Sequence, residues 1–311
     1  MNLGLVIPEL QNFYQRGEFY QIIETLQKAQ IHAIEIHASF ILDKKEKKIL
    51  ELNRALQDRN ISIPSVHAPF WEDQDLSSPS LTIRKWTINQ HIAVMKQMDI
   101  LKIPVLTIHP GSRLEKETDR RLREEYFRKS LEIILKTAES LKIKLAVENM
   151  LPMRTGDKIE TIREIIDGFS SPFLGVCFDT GHANVTGSVS KVFQVIKDKV
   201  FDFHVHDNDG TKDMHLQPAY GNIDWSEFFG LVEDIKYQRP LMIEALPWQG
   251  RELSWMFKEV KMLMDNRILT RNSPKKHFLR CNRCNHLIYD IESNPICYCS
   301  SRASLKNSLD K

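Results

Sequence analysis

A chain of 311 residues with 42% hydrophobic and 27% charged residues has the composition of an ordinary folded protein, long enough for one large domain and a small appendage. No stretch approaches the roughly 18 uncharged apolar residues of a membrane span, and the opening MNLGLVIPELQNF lacks the basic start and apolar length of a signal peptide, so a cytoplasmic protein is expected. The formal charge of +2 is unevenly spread: from Arg271 onward eight Lys/Arg face three acids, which leaves residues 1–270 at about −3 and without a global pull on a phosphate polymer.

From the N-terminus, short runs rich in Val, Ile and Leu alternate with longer amphipathic stretches, the pattern of repeated βα units. NLGLVIP (2–8) predicts the first strand and FYQIIETLQKA (19–29) the helix after it. HAIEIHA (32–38) and SIPSVHA (62–68) predict the next two strands, and TIRKWTINQHIAVMKQM (82–98) a helix. VLTIHPG (105–111) predicts the fourth strand. The sign-alternating run SRLEKETDRRLREEYFRK (112–129) then reads as a solvated face, continuing into the helix REEYFRKSLEIILKTAESL (123–141). KLAVENM (144–150), FLGVCFD (173–179), FDFHVHD (201–207) and PLMIEAL (240–246) complete eight strands. Eight units within residues 1–270 predict an α/β chain with a (β/α)8 TIM barrel, because a doubly wound open sheet more often stops at about five or six strands.

A parallel barrel carries its active site where the strands end, since the following loops converge there. Metal-competent side chains sit at those ends: His67 in the third strand, His109 after the fourth, Glu148 in the fifth, Asp179 in the sixth with His182 three residues on, His204 and His206 in the seventh, and Glu244 in the eighth. A lone histidine at a strand end is most often a structural residue. Six successive strands delivering imidazole or carboxylate to one rim favour a divalent metal centre, zinc first and manganese as the other candidate. His204 and His206 are two apart, so alternation turns both to the same side and does not choose between them. Asp207 and Asp209 in HDNDG read as turn formers.

The ordered set VHAPF (66–70), TIHPG (107–111), VENM (147–150), CFDTGH (177–182), HVHDNDG (204–210), DMH (213–215) and IEA (243–245) resembles the xylose isomerase-like TIM-barrel superfamily over roughly residues 1–265. That superfamily holds sugar isomerases and epimerases as well as AP endonucleases of the endonuclease IV type. The resemblance implies a one-metal quartet of Glu148, Asp179, His204 and Glu244 in the isomerase branch, with Glu148 and Glu244 also moving protons. In the endonuclease IV branch it implies five further ligands, His67, His109, His182, Asp213 and His215, and three zinc ions. Glu148 would bridge two metals; His67 and His109 would complete the first, Asp179, His204 and Glu244 the second, and His182, Asp213 and His215 the third. The family pattern makes His204 the ligand and sets His206 one layer higher, facing substrate.

Two reactions follow. Clustered zinc suits hydrolysis of a phosphoester by an acidified water. A single metal suits isomerisation or epimerisation of a sugar phosphate with Glu148 and Glu244 as catalytic base and acid. The five surplus ligands favour hydrolysis, and a barrel that has lost catalysis and serves only as a binding module fits poorly with an intact ligand set. Met214 stands where endonuclease IV commonly has a basic residue, and the barrel is slightly acidic. A small phosphorylated or sugar substrate is therefore expected over nucleic acid.

Among other residues near the rim, Arg154 in LPMRTGD is a candidate clamp for a phosphate of the substrate. Glu35 and His37 at the end of the second strand are candidates to touch it, and Trp71, Trp225 and Trp248 to wall the pocket or to pack beneath it. His32, His91 and Cys177 read as structural. After RILTRNSPKK, residues 271–311 form a linker and a tail in which Cys281 and Cys284 make a CxxC, and Cys297 and Cys299 a CxC. Four thiolates on two turns resemble a small zinc ribbon holding structural zinc, with His277 or His286 able to replace one of them. The tail's positive charge suits contact with nucleic acid or a protein partner, although many ribbons are only structural caps.

Overall fold

The computed structural model describes residues 1–42, 44–70, 73–245, 252–270, 279–280 and 287–288, with side chains as far as residue 265. Eight parallel strands close on themselves: β1 (Leu3–Ile7), β2 (Ala33–His37), β3 (Ser62–His67), β4 (Val105–Ile108), β5 (Lys144–Glu148), β6 (Leu174–Asp179), β7 (Val200–Val205) and β8 (Leu241–Ile243). They lie in sequence order, and β1 pairs with β8 to shut the barrel. Every predicted strand is present. Each is shorter than its apolar run by one to four residues, chiefly where the run continues past the last ladder pair into the mouth, as 105–111 does beyond Ile108.

Alternation along the strands divides the barrel into two chemistries. Ile34, Ile36, Val66, Leu106, Leu145, Val147, Phe178, Phe203 and Val205 join the large apolar core shared with the surrounding helices. The alternate residues are small or polar: Glu35, Ser65, Thr107, Ala146, Cys177, Asp202 and His204 are all buried. Val105, Ala146 and Cys177 form a small separate cluster that fills the lower barrel. Gly4 is needed there, because a Cβ would come within 2.6 Å of Met242 Sδ.

The helices follow the expected amphipathic pattern. Phe19–Lys28 buries Phe19, Ile23 and Leu26 at three and four residue spacing, and Leu81–Leu101 begins at Ser80, whose hydroxyl accepts the Ile83 N–H. The helix Arg120–Leu141 departs from a purely solvated face at its start. Arg123 is buried, bonding Asp75 from the β3 loop and also Ser77 and Ser112, while Arg120 pairs with Glu117 and Asp157. The sign alternation of the sequence concealed two arginines that tie the β3, β4 and β5 loops together.

The last barrel helix, Leu253–Thr270, ends where the expected tail begins. Strands Leu279–Arg280 and Leu287–Ile288 pair antiparallel on either side of the CxxC. Cys281, Cys284, Cys297 and Cys299, with His277 and His286, lie outside the described residues, as do Trp71 and Trp248. Among the described residues no helix is long and apolar enough to cross a membrane.

Candidate metal centre

The expected donors converge at the C-terminal ends of the strands. Three groups form, within each of which the ligand atoms lie within 4.8 Å of one another: His67, His109 and Glu148; Glu148, Asp179, His204 and Glu244; and His206, Asp213 and His215. Glu148 belongs to two of them. Its Oε2 is 3.1 Å from His109 Nε2 and 3.4 Å from His67 Nε2, while its Oε1 is 3.3 Å from His182 Nδ1 and 3.7 Å from His204 Nδ1.

The loops that carry these groups have local causes. Asp179 ends β6 and caps the helix Thr180–Thr186, its Oδ1 accepting the His182 N–H at 2.6 Å. The cap sets the spacing of Asp179 and His182. Asn149 holds Asp179 from both sides, with Oδ1 accepting its N–H and Nδ2 donating to its carbonyl. Asp207 is buried and accepts from Trp225 Nε1 at 2.8 Å and from the N–H groups of Asn208 and Ala219. It also bridges to Leu216 through two backbone bonds, which brings the Asp213–His215 turn back over the mouth. So Asp207 anchors this loop, Trp225 is packed beneath it, and only Asp209, bonding Thr211 at the surface, is a simple turn former.

Five imidazoles share one arrangement: one ring nitrogen is tied to an oxygen acceptor and the other faces a carboxylate. Nδ1 meets the carbonyl of Ala68 in His67, of Asn149 in His182 and of Glu244 in His215, at 2.8, 2.8 and 2.9 Å. In His204 and His206 the tied nitrogen is Nε2, held by Glu35 Oε1 at 2.9 Å and by Asp179 Oδ2 at 3.0 Å. Donating the first N–H fixes the tautomer and leaves the second nitrogen with its lone pair free for a cation. His204 Nδ1 comes within 3.1 Å of Glu244 Oε2 and His206 Nδ1 within 3.7 Å of Asp213 Oδ1, yet both nitrogens and Asp213 Oδ1 are buried without a hydrogen-bond partner. Buried donors that approach one another without bonding fit divalent cations between them, and the set of imidazole and carboxylate suits zinc or manganese.

Electrostatics keep the carboxylates ready to ligate. Burial alone would raise Glu148, but His109 and His204 outweigh it and hold the carboxyl well below its ordinary range. Glu244 is likewise pushed down to about 2, burial being overcome by His204. In Asp213 the hydrogen bonds from His182 and His215 overcome burial and lower the carboxyl. The imidazoles respond in kind: burial is outweighed by Asp179 and Asp213 at His182, which is raised well above its usual value, and by Asp213 and Glu244 at His215, raised to about 10.

Other expected residues fall differently. His206, expected to face substrate, has a fully buried ring grouped with Asp213 and His215, while His182 Nε2 stands 3.5 Å from Asp213 Oδ2. Glu35 is fully buried against His204, and His37 bonds Ser39 with its ring edge-on to Phe70. Arg154 is half-buried, its backbone bridged to Arg113, and among the described residues its guanidinium has no bonded partner. Cys177 and His91 are buried in packing, and His32 bonds the Asn60 carbonyl at the opposite end of the barrel.

The model of the xylose isomerase-like TIM barrel family matches residues 23–259, most of the chain. The chain belongs to this family. An uncharacterized protein of Methanocaldococcus jannaschii is 30% identical over 212 residues, 66% of this chain and 70% of its own. A probable endonuclease 4 of Thermoplasma volcanium is 30% identical over 223 residues, 64% of this chain and 73% of its own. A solved D-tagatose 3-epimerase-like protein superposes with a TM-score of 0.73 at 22% identity, covering 87% of this chain and all of the other. Within this xylose isomerase-like barrel, Asn149 is a supporting residue that sequence reading missed, and Glu35, expected at the rim as a candidate to touch substrate, supports His204. Asn149 stands beside Glu148 in VENM, which was a usable signal; nothing local pairs Glu35 with His204, 169 residues away.

Proposed function

We propose that this barrel is a metal-dependent hydrolase of small phosphoesters, working with more than one divalent cation in the manner of endonuclease IV. The observation that carries the reading is Glu148, which faces His67 and His109 with one oxygen and His204 and His182 with the other. A quartet alone serves one cation; His67, His109, His182, Asp213 and His215 are then surplus. When bound, such cations neutralise phosphoryl charge and acidify water. The chain's part is to hold Glu148, Glu244 and Asp213 ionised, to fix the tautomers of His67, His182, His204, His206 and His215, and to present His109, the most exposed of the Glu148 imidazoles. Arg154, with no bonded partner for its guanidinium among the described residues, is the candidate to receive a phosphate from the rim. A small sugar-phosphate-type substrate suits a barrel with about −3 of charge better than DNA does.

The competing reading is a single-metal sugar phosphate isomerase or epimerase in which Glu148 and Glu244 exchange protons with the substrate. It is favoured by their placement around His204, 3.7 and 3.1 Å from Nδ1, and by the name of the D-tagatose 3-epimerase-like neighbour. Zinc per chain, counted on the full-length protein with Cys281, Cys284, Cys297 and Cys299 changed to Ser, separates the two. More than one zinc, with turnover of phosphodiesters, supports hydrolysis. A single zinc, with turnover of ketose phosphates and no loss of metal on His67→Ala, supports the isomerase.

A further inference from the structure

We infer that His206 is a metal ligand, joined with Asp213 and His215 in a centre of its own, and that Asp179 and Gly181 put it there. This deepens the multi-cation reading and rests on it. His206 lies on the same side of the chain as His204 but has no exposed surface through which to meet substrate. Its Nδ1 is buried, unpartnered and 3.7 Å from Asp213 Oδ1, which is unpartnered too. His215 stacks on it almost parallel, ring centroids 4.2 Å apart at 13°, and places its own Nε2 3.0 Å from Asp213 Oδ2. Two imidazole nitrogens and a carboxylate therefore face a common point.

Three neighbours are built around His206. Asp179 Oδ2 accepts a hydrogen bond from Nε2 at 3.0 Å, so the tautomer leaves Nδ1 bare toward Asp213, the same logic as at the other four tied histidines of the mouth. Gly181 supplies the room: a Cβ there would lie 1.9 Å from the ring Cε1 and 2.4 Å from Nδ1. Thr180 Oγ1 clamps the His206 backbone, donating to its carbonyl and accepting its N–H. With His182 also 3.5 Å from Asp213, this centre is the richest in imidazole.

The test uses full-length protein reconstituted with zinc and counted against wild type, so that any zinc held by the tail cancels. His206→Gln keeps an amide where Nε2 bonds Asp179 and has nothing at Nδ1. It is expected to lose one zinc per chain and keep the others. Gly181→Ala, with His206 in place, is expected to lose the same one. An unchanged count in His206→Gln, or loss of every zinc together, overturns the assignment, since the second result means that His206 serves only Asp179. Wild-type protein labelled with 15N-histidine and loaded with 113Cd provides a reading independent of any variant: coupling between cadmium and His206 Nδ1 supports the ligand, and its absence overturns it. Should wild type hold a single zinc outside the tail, the multi-cation reading itself fails; should it hold several and His206→Gln match it, only the His206 assignment fails.

Discussion

Two buried histidines, one in the helical layer and one in the barrel mouth, show what their surroundings decide. His91, in the helix Leu81–Leu101, and His182 are both buried and both bond a backbone carbonyl through Nδ1, at Thr87 and Asn149, each at 2.8 Å. They differ in what meets the second nitrogen. At His91 it is buried without a partner, and burial, aided by His67 and His109, pushes the ring down to about 4. At His182 Asp213 faces it, and together with Asp179 and Glu148 on the Nδ1 side this carboxylate outweighs burial, so the ring is raised. One histidine sits in the core with its charge disfavoured; the other is a candidate cation ligand whose ring takes a proton when no metal competes.

The largest break in that comparison is at Glu148, where the carboxylates of the mouth meet. Glu148→Gln keeps the shape and removes the charge facing two donor groups; zinc content is expected to fall by the cations on both sides. Phosphodiester turnover should drop roughly a thousandfold, the scale on which metal-assisted charge stabilisation operates. Metal analysis together with a chromogenic phosphodiester assay checks it.

Next comes the support beneath His204. Glu35→Leu leaves the buried Nε2 of His204 without its acceptor at 2.9 Å and frees the tautomer. Zinc affinity of the Glu148–Asp179–His204–Glu244 group is expected to weaken about 10- to 100-fold, the usual cost of losing a partner that orients a ligand, with Glu35→Gln much nearer wild type. Competition with a fluorescent zinc chelator reads the change, and equal losses in the two variants would refute the orienting role.

His91 sharpens the other side of the comparison through pH. Its folded pKa of about 4 lies below the unfolded value near 6.5, so the unfolded chain takes up a proton that the folded chain refuses. Stability from this residue is therefore unaffected above pH 6.5 and is lost as pH falls toward 4, by about 3 kcal/mol in total. Urea unfolding of His91→Leu and wild type at pH 7 and pH 4.5 should show a smaller acid loss in the variant. An identical acid loss would show that His91 is not buried neutral. Zinc affinity at the mouth should weaken over the same range, because protons compete for His182 and His204, which are raised.

The smallest effect compares strain at the two ends of the barrel. Lys142 ends the helix Arg120–Leu141 in the left-handed region with φ 57°, and His215 adopts φ 44° in the mouth loop. Lys142 carries no chemistry, so Lys142→Gly is expected to add about 1 kcal/mol, the cost a side chain incurs in that conformation. His215→Gly relieves similar strain but removes a candidate ligand. A gain in melting temperature for the first and a loss of zinc for the second separate idle strain from functional strain.

Much of this architecture is written locally. The eight apolar runs and the polar residues that end them are read from alternation, so the barrel and the rim positions of His67, Glu148, Asp179, His204 and Glu244 are visible in the sequence. What stays hidden is pairing across the barrel. Periodicity does not couple β2 to β7, so Glu35 reads as a rim residue when it lies beneath His204. It does not reveal that Arg123 turns inward to Asp75 within a charged run, nor that Asp207 accepts from Trp225 and anchors a loop. His206 is the sharpest case: same-side alternation with His204 gave its direction, and only the returning Asp213–His215 loop determines what it meets.

The central claim is that Glu148 joins two cation sites. Anomalous diffraction at the zinc edge from crystals of the full-length protein tests it directly. The account predicts one peak beside His67 and His109, a second beside Asp179, His204 and Glu244, both against Glu148, and a third beside Asp213. A single peak within the Glu148, Asp179, His204 and Glu244 quartet, with nothing near His67 or His109, would contradict it.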